Sequence, residues 1–299
     1  MNEKWTVKDI QSLNSKVAIV TGGNTGLGFQ SALTLAKAGC DVIIGCRDTR
    51  KGTEAMERVL QVVPDANIKV QHLDLTDFSS ISAFTSSFTD QHQRLDILLN
   101  NAGVVNLSSL QHTSQGHEMH FATNHLGHFC LTGHLLPTIK KTPNARVVTV
   151  SSGGYKFGEI RFDDLNWQIR PYHRVKSYGD SKLANMLFYR QLHHLFESND
   201  VNAKSIAAHP GLTASERQQT EGIGGVLSRF AASPIQCGVQ PLLRACCDPE
   251  CKSGDFIGPR FGIRGRPVKT SLNSSATDSE VAEKLWDYSS EVTGVRYEF

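Results

Sequence analysis

The amino-acid sequence predicts an α/β fold in which a doubly wound parallel sheet of about seven strands carries helices on both faces. Short β-branched runs alternate with longer amphipathic stretches along the chain, as right-handed βαβ crossovers require. The short runs are nearly continuous in apolar character, which is typical of strands buried on both faces. No repeat or low-complexity tract interrupts the alternation, so residues 1–299 are expected to form one domain.

Six strands and five helices can be located along the chain. The expected strands are KVAIV (16–20), DVIIGC (41–46), KVQHLDL (69–75), DILLN (96–100), RVVTV (146–150) and VNAKSIAAH (201–209). The expected helices are GFQSALTLAKAG (28–39), TRKGTEAMERVLQ (49–61), FSSISAFTSSFTDQH (78–92), GHFCLTGHLLPTI (127–139) and SKLANMLFYRQLHHLF (181–196). Two connections, 153–177 and 212–240, are long enough to be substrate-site loops.

Composition and charge exclude several classes of function. The net charge of +2 favours neither nucleic acid nor an anionic membrane as a partner. The polar start of the chain predicts no signal peptide or anchor, and no apolar run reaches the ~20 residues of a membrane span. Seven cysteines, an odd number without a secretory leader, indicate reduced thiols in a cytoplasmic protein.

No metal site is expected. The cysteine cluster CCDPEC (246–251) lacks a second pair at zinc-site spacing. Four histidines lie close together in sequence, at positions 117, 120, 125 and 128. A helix would direct their rings to different faces, so they do not form a ligand set.

A glycine-rich turn, TGGNTGLG (21–28), joins the first strand to the first helix. Its pattern T-G-x-x-x-G-x-G lets backbone N–H groups approach a pyrophosphate, which the helix N-terminus favours electrostatically. The turn makes the sheet Rossmann-type and the ligand a dinucleotide. The residues expected to bind it are Gly22, Asn24, Thr25, Gly26, Leu27 and Gly28.

The end of the second strand indicates which dinucleotide binds. An acidic residue directly after the strand would accept hydrogen bonds from the ribose hydroxyls, but Cys46 and then Arg47 occupy this place. A guanidinium suits a 2′-phosphate, so NADP(H) is favoured. NAD(H) is the alternative, because a shift of one residue would make Asp48 the ribose acceptor.

The end of the third strand supplies a further candidate cofactor contact. Asp74, followed by Leu75, is positioned to reach the adenine. The alternative is that Asp74 caps the next helix, beside Thr76 and Asp77.

Six motifs along the chain resemble those of short-chain dehydrogenases/reductases. They are TGGNTGLG, NNAG (100–103), NHLGHF (124–129), VSS (150–152), YGDSK (178–182) and HPG (209–211), in that order and across essentially the whole chain. The runs FDDLNW, SKLANMLF and GPRFGIRGRPVKT resemble the retinol-dehydrogenase-like branch of that family. Family members are commonly dimers or tetramers, so the resemblance implies a homodimer or homotetramer.

The resemblance also implies roles for individual residues. Asn124, Ser152, Tyr178 and Lys182 match the catalytic tetrad. The matching cofactor-binding residues are Asn101, Ala102, Gly103, Tyr178, Lys182, Pro210, Gly211, Leu212 and Thr213. Ser215 is the expected partner of the nicotinamide carboxamide, with Thr213 as the alternative.

The chemistry of these side chains agrees with such roles. A phenol is a poor base at neutral pH, and the ammonium of Lys182, one helical turn from Tyr178, would favour its phenolate. A second pair at the same spacing, Tyr172 and Lys176, follows Pro171 in an irregular connection and is not expected to act.

The serine and the asparagine of the tetrad have supporting roles. Ser152 would polarise the substrate oxygen. Ser151 would point to the opposite face of the strand, so only one of the two serines can serve. Asn124 would support a water that links Lys182 to solvent, or would satisfy backbone groups at a helix bend, and the two roles are compatible.

The substrate is expected to be an alcohol or a carbonyl compound of lipophilic character. The apolar wall would come from Phe157, Trp167, Leu212, Ile223, Val226, Leu227 and Phe230. Two alternatives stay open. One is a C=C reductase on the same fold, resembling protochlorophyllide reductases, and the other is a non-catalytic NADP-binding regulatory scaffold.

Overall fold

The chain forms one eight-stranded sheet in the computed structural model, which describes residues 4–105, 107–212 and 234–299. Its strands are β1 (Val17–Thr21), β2 (Asp41–Cys46), β3 (Ile68–His72), β4 (Ile97–Asn100), β5 (Ala145–Val150), β6 (Ala203–Ala208), β7 (Phe256–Pro259) and β8 (Pro267–Lys269). They lie in the order β3-β2-β1-β4-β5-β6-β7-β8. All neighbours are parallel except β7 and β8, which are antiparallel. The doubly wound sheet is confirmed, but it has eight strands rather than about seven.

The helices alternate with the strands as predicted. Those of eight or more residues are α1 (Gly26–Lys37), α2 (Thr49–Val62), α3 (Phe78–Gln91), α4 (Gly127–Lys141), α5 (Arg174–Ser198), α6 (Gln240–Cys247) and α7 (Ser279–Thr293). A short helix (Ile235–Gly238) precedes α6. A turn (Met119–Phe121) and a π-helical segment (Ala122–Leu126) lead into α4, and a 3₁₀ helix (Gly153–Phe157) follows β5. Among the helices of the described ranges, none has the length and apolar character needed to cross a membrane.

The two faces of the sheet bury separate apolar cores. Ala18 and Val20 of β1 pack with α1, α2 and α6, whereas Val17 and Ile19 pack with α3, α4 and α5. Successive side chains of a strand point to opposite faces, so a strand covered on both faces needs apolar residues at every position. This requirement explains the nearly continuous apolar runs of the sequence.

The helix α5 begins earlier than the sequence indicates. It starts at Arg174, within the connection predicted over 153–177, and continues through Gly179. A Cβ atom at Gly179 would lie 3.1 Å from both the Gly154 oxygen and the Gly158 nitrogen. The glycine therefore permits close packing of the 3₁₀ helix against α5 and does not interrupt α5. The tyrosine–lysine pair at 178 and 182 lies well inside this helix.

The connection between β5 and α5 is tied to α5 by a buried ion-pair cluster. Arg170 contacts Asp164 at 3.3 Å and Asp180 at 2.7 Å, and its guanidinium stacks over the Trp167 ring at 3.7 Å. Burial raises the pKa of Asp180 to about 6. Trp167 is only 3% exposed, so it belongs to the interior of this connection and not to an open substrate wall.

The C-terminal segment packs against α4 and α5. Trp286 of α7 stacks on Phe188 with ring centroids 5.8 Å apart, and the Tyr297 hydroxyl donates to the Phe129 carbonyl oxygen at 2.6 Å. The chain itself therefore occupies this part of the α4 and α5 surfaces. The homodimer or homotetramer stays a prediction, and a partner subunit would have to use another part of these helices.

Candidate active site

A cavity of about 420 Å³ opens where the carboxyl ends of β1 and β4 meet. The chain runs outward from β1 to β3 and returns to β4 on the other side of β1, so this is the topological switch point where open α/β sheets bind ligands. The predicted cofactor residues that line it are Gly22, Asn24, Thr25, Gly26, Leu27, Gly28, Arg47, Asp74, Leu75, Asn101, Ala102, Gly103, Tyr178, Lys182 and Pro210.

Gly211 and Leu212, which are also predicted to bind the cofactor, do not line this cavity. Gly211 has a φ of 71° and approaches the Ile263 carbonyl oxygen closely, and Leu212 donates its N–H to the same oxygen at 2.9 Å. Both residues are thus held by the turn between β7 and β8. Thr213 and Ser215 lie outside the described residues, as do Ile223, Val226, Leu227 and Phe230 of the expected apolar wall.

The glycine-rich turn has the geometry that a pyrophosphate requires. Gly22 and Gly26 adopt φ values of 64° and 54°, which favour glycine. A Cβ atom at Gly28 would collide with the Gly22 carbonyl oxygen, so this glycine allows α1 to pack closely against the turn. Thr25 makes no side-chain capping hydrogen bond. The first N–H groups of α1 are therefore available to an anion in the cavity, and the residues present fit a dinucleotide.

A buried hydrogen-bond chain joins this turn to Asn124. The N–H groups of Asn101 and Ala102 both donate to the Thr21 hydroxyl at 2.9 Å. His128 contacts that hydroxyl through Nε2 at 2.9 Å and the Asn124 carbonyl oxygen through Nδ1 at 2.9 Å. Burial lowers the pKa of His128 to about 4, so the ring is neutral, with Nδ1 donating and Nε2 accepting. His128 thus connects the cofactor cavity to the tetrad.

Tyr178 and Lys182 lie together at one end of the cavity. The Lys182 Nζ atom is 5.6 Å from the centre of the Tyr178 ring and donates to the Val150 carbonyl oxygen at 3.3 Å. Lys182 is only 4% exposed, and a buried ammonium interacts more strongly with a nearby phenolate than an exposed one does. The spacing predicted from the sequence therefore places both groups in one corner of the cavity, with the lysine buried and the tyrosine half-buried.

Asn124 lies beside this pair in the π-helical segment Ala122–Leu126. Its carboxamide accepts from the Val104 N–H at 2.8 Å and donates to the Val104 carbonyl oxygen at 3.1 Å. This is the predicted role in satisfying backbone groups. A Cβ atom on Gly103 would lie 2.8 Å from Asn124 Oδ1 and 3.6 Å from Lys182 Nζ, so only a glycine leaves room between these two side chains. The bridging water stays a prediction.

The two serines after β5 point to different surroundings. Ser151 is buried and its hydroxyl donates to the Lys182 carbonyl oxygen at 3.0 Å. Ser152 accepts from the Gly154 N–H at 3.2 Å. A Cβ atom on Gly154 would lie 3.6 Å from the Ser152 hydroxyl and 3.3 Å from Tyr178 Cε1. The Ser152 hydroxyl and the Tyr178 ring therefore both lie near Gly154, although the serine among the residues that line the cavity is Ser151.

Two basic side chains line the cavity just beyond the end of β2. The strand ends at Cys46, and Arg47 and Lys51 both line the cavity. Asp48 caps α2 by accepting from the Lys51 N–H at 3.1 Å, and this bond lowers the pKa of the Asp48 carboxyl. The sequence reasoning missed Lys51. The signal was its position in the first turn of α2, the helix that begins directly after Arg47 and Asp48, which keeps its side chain near the end of β2.

Asp74 lines the cavity without capping a helix. Its Oδ1 atom accepts from the Thr76 N–H at 2.9 Å and from the Thr76 hydroxyl at 2.7 Å. The cap of α3 is Asp77, which accepts from the Ser79 N–H at 2.9 Å. The alternative reading of Asp74 as a helix cap is therefore wrong, and contact with the adenine stays a prediction.

The clustered histidines have separate hydrogen-bonding environments. His125 Nε2 contacts the Ser289 hydroxyl at 2.9 Å, and His120 Nδ1 contacts Glu118 at 3.0 Å. Within the ranges that the structure describes, no group of three His, Cys, Asp or Glu side chains could hold a metal ion. The Glu118–His120 contact was not anticipated, because the sequence reasoning assigned no role to Glu118.

Comparisons with known proteins agree with this architecture. A family model described as short chain dehydrogenase matches residues 16–223. The chain is 38% identical to retinol dehydrogenase 12 of Mus musculus, covering 95% of this chain and 88% of that protein. It is 35% identical to retinol dehydrogenase 13 of Homo sapiens, covering 95% and 86% of the two chains.

Solved structures show the same fold. An uncharacterized protein from Mycobacterium paratuberculosis superposes with a TM-score of 0.83 at 34% identity, covering 99% of both chains. A short chain dehydrogenase from Shigella flexneri 2a, solved in complex with NADP, superposes with a TM-score of 0.64 at 21% identity, covering 84% of this chain and 98% of that one. The chain therefore belongs to the short-chain dehydrogenase family, in its retinol-dehydrogenase-like branch, and is an NAD(P)-dependent alcohol dehydrogenase/oxidoreductase.

Proposed function

We propose that this protein uses NADP(H) to interconvert an alcohol and an aldehyde or ketone of lipophilic character, with Tyr178 as the acid–base group. The observation that carries the proposal is the convergence of Tyr178 and Lys182 at one end of a cavity whose far end is lined by Arg47 and Lys51. The tetrad geometry supports proton transfer, and the basic end supports a phosphorylated ribose.

Tyr178, Ser152 and Lys182 have different roles in carbonyl reduction. NADPH, when bound, supplies the hydride that the carbonyl carbon receives. Tyr178 donates its phenolic proton to the carbonyl oxygen, so that the carbonyl group becomes an alcohol. Ser152 donates a hydrogen bond to that oxygen and stabilises the negative charge that develops there. The Lys182 ammonium stabilises the phenolate that remains, and alcohol oxidation reverses each step.

Two features support a lipophilic substrate. The relatives named retinol dehydrogenase 12 and 13 carry a lipophilic substrate in their names. Phe157, in the 3₁₀ helix that begins after Ser152, is 71% exposed and offers an apolar surface near the tetrad.

The experiment is a turnover assay of purified protein with NADPH or NADH on a panel of carbonyl compounds. We expect all-trans-retinal and medium-chain aldehydes to be reduced with NADPH, and small polar aldehydes such as glyceraldehyde to be poor substrates. Product analysis by mass spectrometry and NMR separates alcohol formation from C=C reduction. Turnover of polar carbonyls alone would remove the lipophilic substrate, and NADPH binding without any turnover would support the regulatory scaffold.

Arg47→Ala is expected to weaken the binding of NADPH more than that of NADH. A charge-assisted hydrogen bond contributes about 1.5–3 kcal/mol, which corresponds to a rise of about 10- to 100-fold in the KM for NADPH. The KM for NADH should change less than threefold, because NADH lacks the 2′-phosphate. Steady-state kinetics with both cofactors at saturating carbonyl measure the effect. Arg50→Ala is the matched control, since Arg50 does not line the cavity. Equal losses with NADPH and NADH would contradict the assignment.

A further inference from the structure

A buried acid–base pair lies beside Tyr178, outside the family tetrad. Glu118 and His120 are both 0% exposed, and the carboxylate Oε1 atom is 3.0 Å from His120 Nδ1. Neither side chain lines the cavity. Burying two ionisable groups costs free energy of folding unless hydrogen bonds compensate. A role in the active site would explain why the pair is present.

The Glu118–His120 pair joins the two segments that carry tetrad residues. Glu118 accepts from the Phe121 N–H at 2.8 Å through its second oxygen. It thereby caps the turn Met119–Phe121, which runs into the π-helical segment of Asn124. His120 Nδ1 is also 2.7 Å from the hydroxyl of Ser177, the residue before Tyr178 in α5. The pair therefore fixes the Asn124 segment relative to the helix of the tyrosine.

The imidazole of His120 also touches the tyrosine itself. Its ring lies edge-on to the Tyr178 ring, with centroids 5.9 Å apart and planes at 71°, an arrangement that aromatic rings prefer. The other ring nitrogen, Nε2, is buried without a hydrogen-bond partner among the described residues. An apolar ring would fill this place without the cost of an unpaired nitrogen. Packing alone therefore does not account for an imidazole at this position.

Tyr172, the tyrosine of the second tyrosine–lysine pair, takes part in the same cluster. Its hydroxyl donates to the Leu107 carbonyl oxygen at 3.3 Å and accepts from Ser177 at 3.3 Å. Tyr172 therefore supports the outer side of the cluster, whereas His120 contacts the ring of Tyr178 directly. The Glu118 carboxylate thus contacts the imidazole of His120, and the imidazole in turn packs against the ring of Tyr178.

We propose that the Glu118–His120 pair positions Tyr178 for proton transfer. The carboxylate fixes the imidazole through Nδ1, and the imidazole holds the phenol in the orientation that faces Ser152 and Lys182. The inference rests on the proposed function, in which Tyr178 is the acid–base group. Because the pair touches the tyrosine but does not line the cavity, its loss should reduce the rate of the chemical step and leave cofactor binding intact.

The test measures kcat and KM for a reduced carbonyl, the Kd of NADPH by fluorescence, and the thermal midpoint. His120→Phe keeps a ring and removes Nδ1, and we expect kcat to fall about 10- to 100-fold with the Kd nearly unchanged. The thermal midpoint should fall, because the buried Glu118 carboxylate loses a partner, so kcat is measured well below that midpoint. Glu118→Gln keeps an acceptor for Nδ1 and should cause a smaller loss of kcat. The double variant should be no slower than His120→Phe alone, because both residues act through one ring.

His117→Gln is the matched control. His117 lies in the same segment and also has a buried nitrogen without a partner among the described residues, but its ring faces Phe78 at 6.3 Å instead of Tyr178. Its kcat should match that of the unmodified protein.

Several results would overturn the inference. These are a kcat within twofold of the unmodified protein in His120→Phe, a loss expressed in the NADPH Kd, and a double variant whose losses multiply. If His120→Phe does not fold, Glu118→Gln decides, and an unchanged kcat there overturns the inference. Absence of turnover in the unmodified protein would instead remove the proposed function and the inference with it.

Discussion

Tyr178→Phe is expected to lower kcat for carbonyl reduction by about 10²- to 10⁴-fold, the range over which a positioned acid or base accelerates a reaction. The phenylalanine ring fills the same space and keeps the contact with His120, but it has no proton to give to the substrate oxygen. The Kd of NADPH should change little, because the glycine-rich turn and the basic end of the cavity are untouched. Single-turnover kinetics with bound NADPH measure the chemical step directly.

Tyr189→Phe is the matched control for this prediction. Tyr189 lies in the same helix, α5, and its hydroxyl is buried without a hydrogen-bond partner among the described residues, so the variant removes a hydroxyl away from the cavity. Its kcat should stay within about twofold of the unmodified protein. Full activity in Tyr178→Phe, or equal losses in the two variants, would exclude Tyr178 as the proton donor.

Local patterns predicted the parts of the site that depend on neighbouring residues. The turn TGGNTGLG combines a buried strand, two glycines with positive φ and a helix start within 8 residues, so its geometry follows from short-range constraints. Tyr178 and Lys182 are likewise one turn apart on one helix. In each case residues that are close in sequence are also close in the structure, so the sequence spacing is enough to predict the contact.

Contacts between distant segments could not be predicted in this way. Glu118 and Ser177 meet across 59 residues, and no periodicity in either segment indicates the other. The strands β7 and β8 have only 4 and 3 residues, too few to show an alternating pattern. The helix expected over 181–196 starts at Arg174, and tertiary packing against Gly154 and Gly158 explains the presence of Gly179 inside it.

The stability of the fold should fall steeply as the pH drops from about 6.5 to 4. Burial lowers the pKa of His125 to about 3 and those of His128 and His209 to about 4. The unfolded chain binds protons at these residues near pH 6.5, whereas the folded chain does not. Their contribution to stability is therefore complete above pH 6.5 and is lost as the pH falls, at about 1.4 kcal/mol per pH unit for each histidine.

One buried carboxyl group opposes this trend. The pKa of Asp180 is raised to about 6 by burial, so between about pH 6 and 4 the folded chain binds a proton that the unfolded chain does not. Stability from this group increases as the pH falls, by about 1.4 kcal/mol per pH unit. The three histidines and Asp180 together leave a net loss of about 3 kcal/mol per pH unit in this window, and four further histidines whose pKa values are lowered by burial add to the loss.

Urea unfolding between pH 7.5 and 4.5 measures this slope, and His209→Asn separates one contribution from the rest. His209 accepts from the Gly211 N–H at 3.3 Å, and asparagine can keep an acceptor there without a titrating ring. The variant should reduce the slope by about 1.4 kcal/mol per pH unit, the contribution of one histidine. A free energy of unfolding that is flat from pH 6.5 to 4.5 would show that these rings are not held neutral in the folded chain.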